Sequence, residues 1–223
     1  DPDLSGFREE TREMWRRRYR DRGPGEEPYT RLVERLHHVP LSDIRALLDE
    51  GYFRMVIPEA HGGEGRKKIA YYIVTTEMMR HGDVTQAIIV MGSMSIGTTP
   101  ILLGLEQDLP DVGRALEALL KNKTAVDAVA SGDAGGRGVV GPLLEDKAVR
   151  GILPKDLAGW EDRVRAALAE LPHRRAAHEF YLRLIANGVI SAFALTEPSA
   201  GSDTARIRTR AERCEVAVTR DPR

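Results

Sequence analysis

Residues 193–203 read FALTEPSAGSD, and the fold turns on how this stretch is read. Its first two residues end the apolar run VISAFA (189–194), and the rest concentrates turn-formers and small hydroxyls. Pro198 fixes one φ angle, Gly201 opens backbone conformations closed to other residues, and Thr196, Ser199 and Ser202 set hydroxyls beside backbone N–H donors. Such a loop can present several donors to an acceptor-rich ligand such as a pyrophosphate. Its composition is equally that of a well-made turn.

The rest of the chain bounds the answer. Its 223 residues allow one large domain or two modest ones, and 42% hydrophobic with 30% charged residues describes an ordinary globular protein. Lys+Arg 33 nearly cancels Asp+Glu 34, so the charge argues against nucleic acid as a partner. One cysteine, Cys214, excludes an intrachain disulfide and a cysteine metal cluster, and fits a reducing, cytoplasmic setting. The first residues, DPDLSGFREE, lack the pattern of a secretory signal and start at Asp, so part of the natural beginning is expected to be missing. The run AIIVMGSMSIGTTPILLGL (87–105) nears membrane-spanning length, but its Ser, Thr, Gly and Pro100 favour a buried core helix broken near Pro100 over a membrane span.

Helical texture dominates the first hundred residues. In SGFREETREMWRRRYRDRG (5–23), Ser5 is a candidate N-cap and Phe7, Trp15 and Tyr19 recur among charges, which predicts a surface helix ending at Gly23. Its Arg16, Arg17, Arg18 and Arg20 read as a solvated face. PLSDIRALLDEGYF (40–53) offers Ser42 as a cap, Ile44, Leu47 and Leu48 at helical spacing and Gly51 as a stop. VIPEAHGGEG (56–65) is a loop of defined shape, and Ile69, Tyr72, Ile73, Thr76 and Met79 share one face of a further helix ended near Gly82.

After Asp108, short helical patterns alternate with Gly and Pro. SGDAGGRGVVG (131–141) reads as a flexible loop, since it lacks the Lys-Ser/Thr of a phosphate cradle, and residues 159–188 read as a helix pair split at Pro172. Strand texture is predicted in VISAFAL (189–195), ARIRTRAE (205–212) and EVAVT (215–219). The histidines give no metal site: His37 and His38 are adjacent, His173 and His178 are five apart, and His61 and His81 fall in a turn and at a helix end.

Three segments, in order, resemble the acyl-CoA dehydrogenase family. FALTEPSAGSD looks like its signature, GYFRMVIPEAHGGEG (51–65) is similar to its earlier Gly-rich segment, and MGSMSIGTTPILLGLEQ (91–107) resembles its helix ending in G-x-E-x-Q. The likeness covers roughly residues 40–107 and 181–211. The implied fold class is α with a small β part: a helical N-terminal domain (1–107), a mostly helical insertion (108–180) unusual for the family, and the first strands of a β-barrel domain (181–223), truncated before the barrel closes.

The resemblance implies a cofactor, FAD. By matching positions, Phe193 and Leu195 would flank the flavin ring, Thr196 would offer backbone and hydroxyl to its pyrimidine side, and Gly201 with Ser202 would approach the pyrophosphate, Ser202 also lying near the CoA of the substrate. The helix matching Met94 to Leu103 would partly line the acyl-tail pocket, with Ser95, Thr98 and Thr99 read as helix packing. The implied activity is α,β-dehydrogenation of an acyl-CoA, as in fatty acid β-oxidation, with electrons passed to an electron-transfer flavoprotein and the site completed in a homo- or hetero-oligomer. The catalytic Glu is expected outside this segment, because the motif position of Glu197 is structural. A second expectation is a non-catalytic scaffold subunit of a heteromeric complex that keeps the family fold, and in either case the insertion suits a cap or a subunit contact.

Overall fold

The computed structural model describes residues 2–20, 25–192, 194, 196–198, 200–201 and 204–210. The chain divides into a unit Asp1–Ala192 and a unit Phe193–Arg223. In the first unit, α1 (Pro2–Trp15) runs into a π-helical turn (Arg16–Arg20), and α2 (Tyr29–Leu36), α3 (Leu41–Asp49) and α4 (Lys68–His81) follow. Next comes a helical rod made of α5 (Val84–Met91), α6 (Thr99–Leu103) and α7 (Leu109–Lys121), joined by π-helical stretches at Gly92–Thr98 and Gly104–Asp108. Four more helices complete the unit: α8 (Lys123–Ala130), α9 (Arg137–Glu145), α10 (Lys147–Arg150) and α11 (Trp160–Ala186).

The rod Val84–Lys121 is continuous for 38 residues, so the break expected near Pro100 does not occur. A proline inside a helix removes one N–H and its ring crowds the carbonyl four residues back. Here Pro100 sits in the first turn of α6 and Pro110 in the first turn of α7, each directly after a π-helical stretch. In those stretches the four-residue hydrogen-bond register is already widened, so the missing donor costs little. The hydroxyls of Thr98 and Thr99 donate to the carbonyls of Ser93 and Met94, five residues back, at 2.8 and 3.1 Å. The rod is long and apolar enough to cross a membrane, yet 39% of its most apolar window is buried within the fold.

Two apolar clusters flank this rod along its length. The first gathers Trp15, Leu47, Phe53, Ile57, Met78 and Met94 with Leu182 and Ile185 of α11. The second, built by α7 to α11, gathers Leu116, Leu119, Val126, Val140, Val149, Trp160 and Val164. Asn122 interrupts the rod, and α8 packs back so that Asp127 accepts a hydrogen bond from Trp160 Nε1 at 2.9 Å. Lys123 ties this corner by reaching Asp127 at 3.0 Å and Glu161 at 2.6 Å.

Around the first cluster, α1 and α4 run in the same direction: Phe7 meets Arg66, Arg8 and Arg12 meet Glu77, and Trp15 and Tyr19 lie against Gly82. A Cβ on Gly82 would come within 3.0 Å of Trp15 Cε3, so glycine sets how closely the helix end approaches the indole. Glu77 is fully buried and receives Arg8 Nε at 2.7 Å and Arg12 Nε at 3.1 Å. Burial alone would push this carboxyl up. The hydrogen bonds and charges of Arg8 and Arg12 outweigh burial and hold it below the usual carboxylate range.

Several local expectations are corrected. Ser5 lies inside α1 and Ser42 is the second residue of α3, where neither occupies an N-cap; Pro40 precedes α3 without a side-chain cap bond. The helix of residues 5–20 is no surface helix on its aromatic side, because Trp15 and Tyr19 are buried. On α4 the face bearing Ile69, Tyr72 and Met79 is the exposed one, while Ala70, Tyr71, Val74 and Met78 enter the core. The glycine-rich stretch 131–141 is a turn leading into α9 rather than a flexible loop. α11 is one helix of 27 residues through Pro172, not a pair. Pro172 is solvent-exposed, so the carbonyl of Leu168 that it leaves without an N–H faces no dry core on that side.

Between Gly51 and Arg66 the chain folds on itself as a loop of defined shape. Arg54 and Ile57 carbonyls accept from Glu64 and Gly65 at 3.2 and 2.8 Å. Gly63 is required there, since a Cβ would lie 2.0 Å from the carbonyl oxygen of Ile57. Among the described residues no strand forms; the β pairing present is an isolated bridge between Glu197 and Ala200. The expected β-barrel part is therefore not shown, Gly23 and the run 215–219 lie outside the described residues, and residues 189–192 and 207–210 carry no regular secondary structure.

Two substitutions test this architecture. Replacing Glu77 by Gln keeps the shape but leaves two guanidinium groups without their anion, so stability at pH 7 should fall by about 1.5–3 kcal/mol. Because the folded carboxyl titrates below its unfolded value, its contribution is complete above the unfolded value, about pH 4, and disappears as pH falls through the folded one. Urea midpoints of wild type and Glu77→Gln should therefore diverge at pH 7 and converge in acid; equal midpoints at pH 7 would contradict the buried ion pair. Replacing Pro172 by Ala restores a helical N–H and should raise stability, by at most about 3 kcal/mol, whereas a helix pair hinged at this position predicts no gain.

Candidate functional site

The π-helical stretch Gly92–Thr98 is where the rod meets the chain leaving α11. Ser191 donates its hydroxyl to the Ser93 carbonyl at 2.8 Å and its backbone N–H to Ser93 Oγ at 3.1 Å. Its hydroxyl also lies 3.0 Å from both Ser93 Oγ and Thr98 Oγ1. Ser93 and Thr98 are buried, so the cluster is a fully satisfied polar knot in an apolar wall. Gly97 makes the approach possible: a Cβ there would stand 2.5 Å from Ser191 Oγ and 2.8 Å from its carbonyl carbon. The knot fixes residues 189–192, the stretch that leads directly in sequence to FALTEPSAGSD.

Sequence reasoning singled out Thr98 but missed Ser93, Gly97 and Ser191. The available signal was Ser93 and Gly97 one helical turn apart, a small-residue notch on one face. Nothing in the sequence indicated that Ser191 would fill it.

On its other side the same stretch borders a cleft of about 70 Å³ lined by Val56, Lys68, Tyr71, Tyr72, Met94, Ser95 and Thr99. Tyr71 is buried and its ring lies 5.1 Å from that of Tyr72. Burial pushes the Tyr71 phenol up, partly offset by its hydrogen bond with Ser95. This volume is below the roughly 300 Å³ of ordinary ligand pockets, so the cleft holds no acyl chain as it stands. Of the helix expected to line a tail pocket, Met94, Ser95 and Thr99 face this cleft, whereas Ile96 and Leu103 are exposed.

In the second unit, Thr196 and Gly201 are exposed, and a Cβ on Gly201 would meet nothing within 4 Å, which leaves its backbone open to a bulky group. Phe193, Leu195 and Ser202 lie outside the described residues. The turn between Thr196 and Gly201 is closed by reciprocal bonds, Glu197 N–H to the Ala200 carbonyl at 2.8 Å and Ala200 N–H to the Glu197 carbonyl at 3.1 Å. The Glu197 carboxylate accepts from the hydroxyl of Thr209 and from the N–H groups of Arg208 and Thr209 at 2.9 and 2.8 Å. These bonds, the Thr209 hydroxyl first, hold the carboxyl below its usual range. A carboxylate so engaged is a weak base and a strong brace.

Gly97→Ala should force residues 189–192 off the rod and destabilise the protein by about 1–3 kcal/mol. Ser191→Ala loses hydrogen bonds without a clash and should cost less. Amide exchange at residues 189–192 should quicken in both variants, and unchanged exchange in Gly97→Ala would remove the knot as their anchor.

Comparison with curated proteins and with solved structures gives no match. Comparison with family profiles gives one for "Acyl-CoA dehydrogenase, N-terminal domain", over residues 7–107. The matched span runs from Phe7 of α1 to Gln107 in the second π-helical stretch and takes in α1–α6, whose side chains build the first apolar cluster. Residues 7–107 of this chain thus match the profile of the acyl-CoA dehydrogenase N-terminal domain, which supports the resemblance read from the sequence.

Proposed function

We propose that the chain contributes its N-terminal domain and flavin-contacting loop to an FAD-dependent acyl-CoA dehydrogenase. The observation that carries the proposal is the conjunction of that domain over residues 7–107 with a braced, outward-facing turn at Thr196–Gly201. The described part of the turn fits the cofactor, since Thr196 is exposed and the space above Gly201 is open. Bound FAD would supply the hydride acceptor for α,β-dehydrogenation.

The chain's own residues bind and orient. Thr196 offers backbone and hydroxyl to the pyrimidine side of the ring, Phe193 and Leu195 flank it, and Gly201 with Ser202 approaches the pyrophosphate, with Ser202 also beside CoA. Glu197 keeps the turn in shape through Arg208 and Thr209 and is not assigned as the base. No residue of the chain is given that role. The same proposal includes a homo- or hetero-oligomer, an electron-transfer flavoprotein as electron acceptor, a cytoplasmic location, and the three-part division 1–107, 108–180 and 181–223. It also treats the rod as a core helix rather than a membrane span, because Gln86, Ser93 and Thr98 on its buried face are engaged by Tyr29 and Ser191.

The visible spectrum of natively purified protein, followed by anaerobic titration with a panel of acyl-CoA thioesters, tests this. A flavin band that bleaches with one of them is expected, and Thr196→Ala should weaken flavin retention about tenfold, the loss of one to two hydrogen bonds. A protein that stays colourless after FAD and any co-purifying subunit are added would overturn the enzyme and favour the scaffold subunit.

A further inference from the structure

The insertion carries a cavity of about 520 Å³, within the range of small-molecule pockets. Its floor is apolar: Val129, Leu144, Leu153 and Leu157 are half-buried and continue the second apolar cluster. Its rim is cationic. Arg137 opens α9, Arg150 closes α10 and Lys155 stands in the loop that follows, against one acid, Glu145. Among the described residues none of these four side chains makes an ion pair, so three positive charges and one negative charge line the opening.

The backbone is committed to this shape. Leu157 adopts a left-handed conformation with φ 57°, which costs a residue with a Cβ about 1–2 kcal/mol. Its N–H bonds the Pro154 carbonyl at 3.1 Å and its carbonyl accepts from Trp160 at 3.2 Å, so the loop presents both Pro154 and Leu157 to the cavity. Gly141, within α9, lines the wall with open space where a Cβ would be.

An apolar floor alone would recognise a neutral hydrophobe, and exposed guanidinium groups alone would recognise any anion. Together they select a ligand with both parts. Guanidinium forks match a carboxylate in plane and bidentately, and they act more strongly where an apolar wall displaces water. We infer that this cavity binds an amphipathic organic anion, with its carboxylate at Arg137, Arg150 and Lys155 and its apolar body on the Val129–Leu144–Leu153–Leu157 floor. The inference is independent of the flavin-binding proposal.

Decanoate, decanol and inorganic phosphate are the probes, titrated separately into the full chain by calorimetry. Decanoate should bind with a dissociation constant below about 1 mM, at least tenfold tighter than decanol or phosphate, and more weakly as salt rises. The double variant Arg137→Gln/Arg150→Gln, at exposed positions without ion pairs, should lose at least tenfold in decanoate affinity with its circular dichroism and thermal midpoint unchanged. Leu153→Trp, which fills the floor, should abolish binding while the thermal midpoint shows whether the fold survives; decanoate shifts of Leu157 and Gly141 amides in wild type locate the site without any variant. No decanoate binding, equal binding of decanol or phosphate, an unaffected double variant, or amide shifts elsewhere would each overturn the inference.

Discussion

Continuity of the rod Val84–Lys121 through two prolines is the constraint on which the first unit depends. Its first half supplies Ala87, Val90 and Met94 to one apolar cluster, and its last part supplies Leu116 and Leu119 to the other. A break at Pro100 would leave α11, which carries Trp160 and Val164 to one cluster and Leu182 and Ile185 to the other, as the remaining helical link between them. The π-helical stretches prevent that break by shifting the hydrogen-bond register just ahead of each proline, and the hydroxyls of Thr98 and Thr99 take up carbonyls within the first of them. The widened turn also creates the notch at Gly97 that receives Ser191. One local irregularity thus serves helix continuity and the anchoring of the chain ahead of the signature loop.

Buried polarity is used sparingly and in small sets, and among the described residues Gln86 Oε1, Trp15 Nε1 and Tyr19 OH are buried without a hydrogen-bond partner. Glu77 is surrounded by Arg8 and Arg12, Tyr29 links Asp43 to Gln86 at 2.6 Å on each side, and Ser191 closes the Ser93–Thr98 pair. Each set joins elements distant in sequence, so each acts as a register device between helices that apolar packing alone would hold less specifically. Glu77 shows this most directly, since it fixes α1 along α4 at a point where a one-turn slip would leave a buried charge unpaired.

The second apolar cluster follows the same physics on a smaller scale. Trp160 anchors its cluster while its indole N–H is satisfied by Asp127, and Lys123 bridges the two helices that carry them. This region therefore has an apolar interior of its own, separate from the first cluster, and the cavity between α9, α10 and the 151–159 loop opens from that interior.

By itself the sequence determined the helical class, the ends of α3 and α4 at Gly51 and Gly82, the defined loop around Gly63, and, through short motifs over about residues 40–107 and 181–211, the resemblance that the family profile matches over residues 7–107. These are local properties: helical periodicity, glycine at helix ends and in tight turns, and residue spacing. Tertiary structure alone decided which face of α4 is buried, whether Pro100 and Pro172 break their helices, and that Ser191 meets Ser93, Thr98 and Gly97. The apolar face of α4 read from periodicity is the exposed one because Glu77 draws the opposite face inward to Arg8 and Arg12. A proline signals a break only when no neighbouring turn can absorb its missing donor, and a hydroxyl signals a contact only when its partner, 98 residues away for Ser93 and Ser191, has been brought to it by the fold.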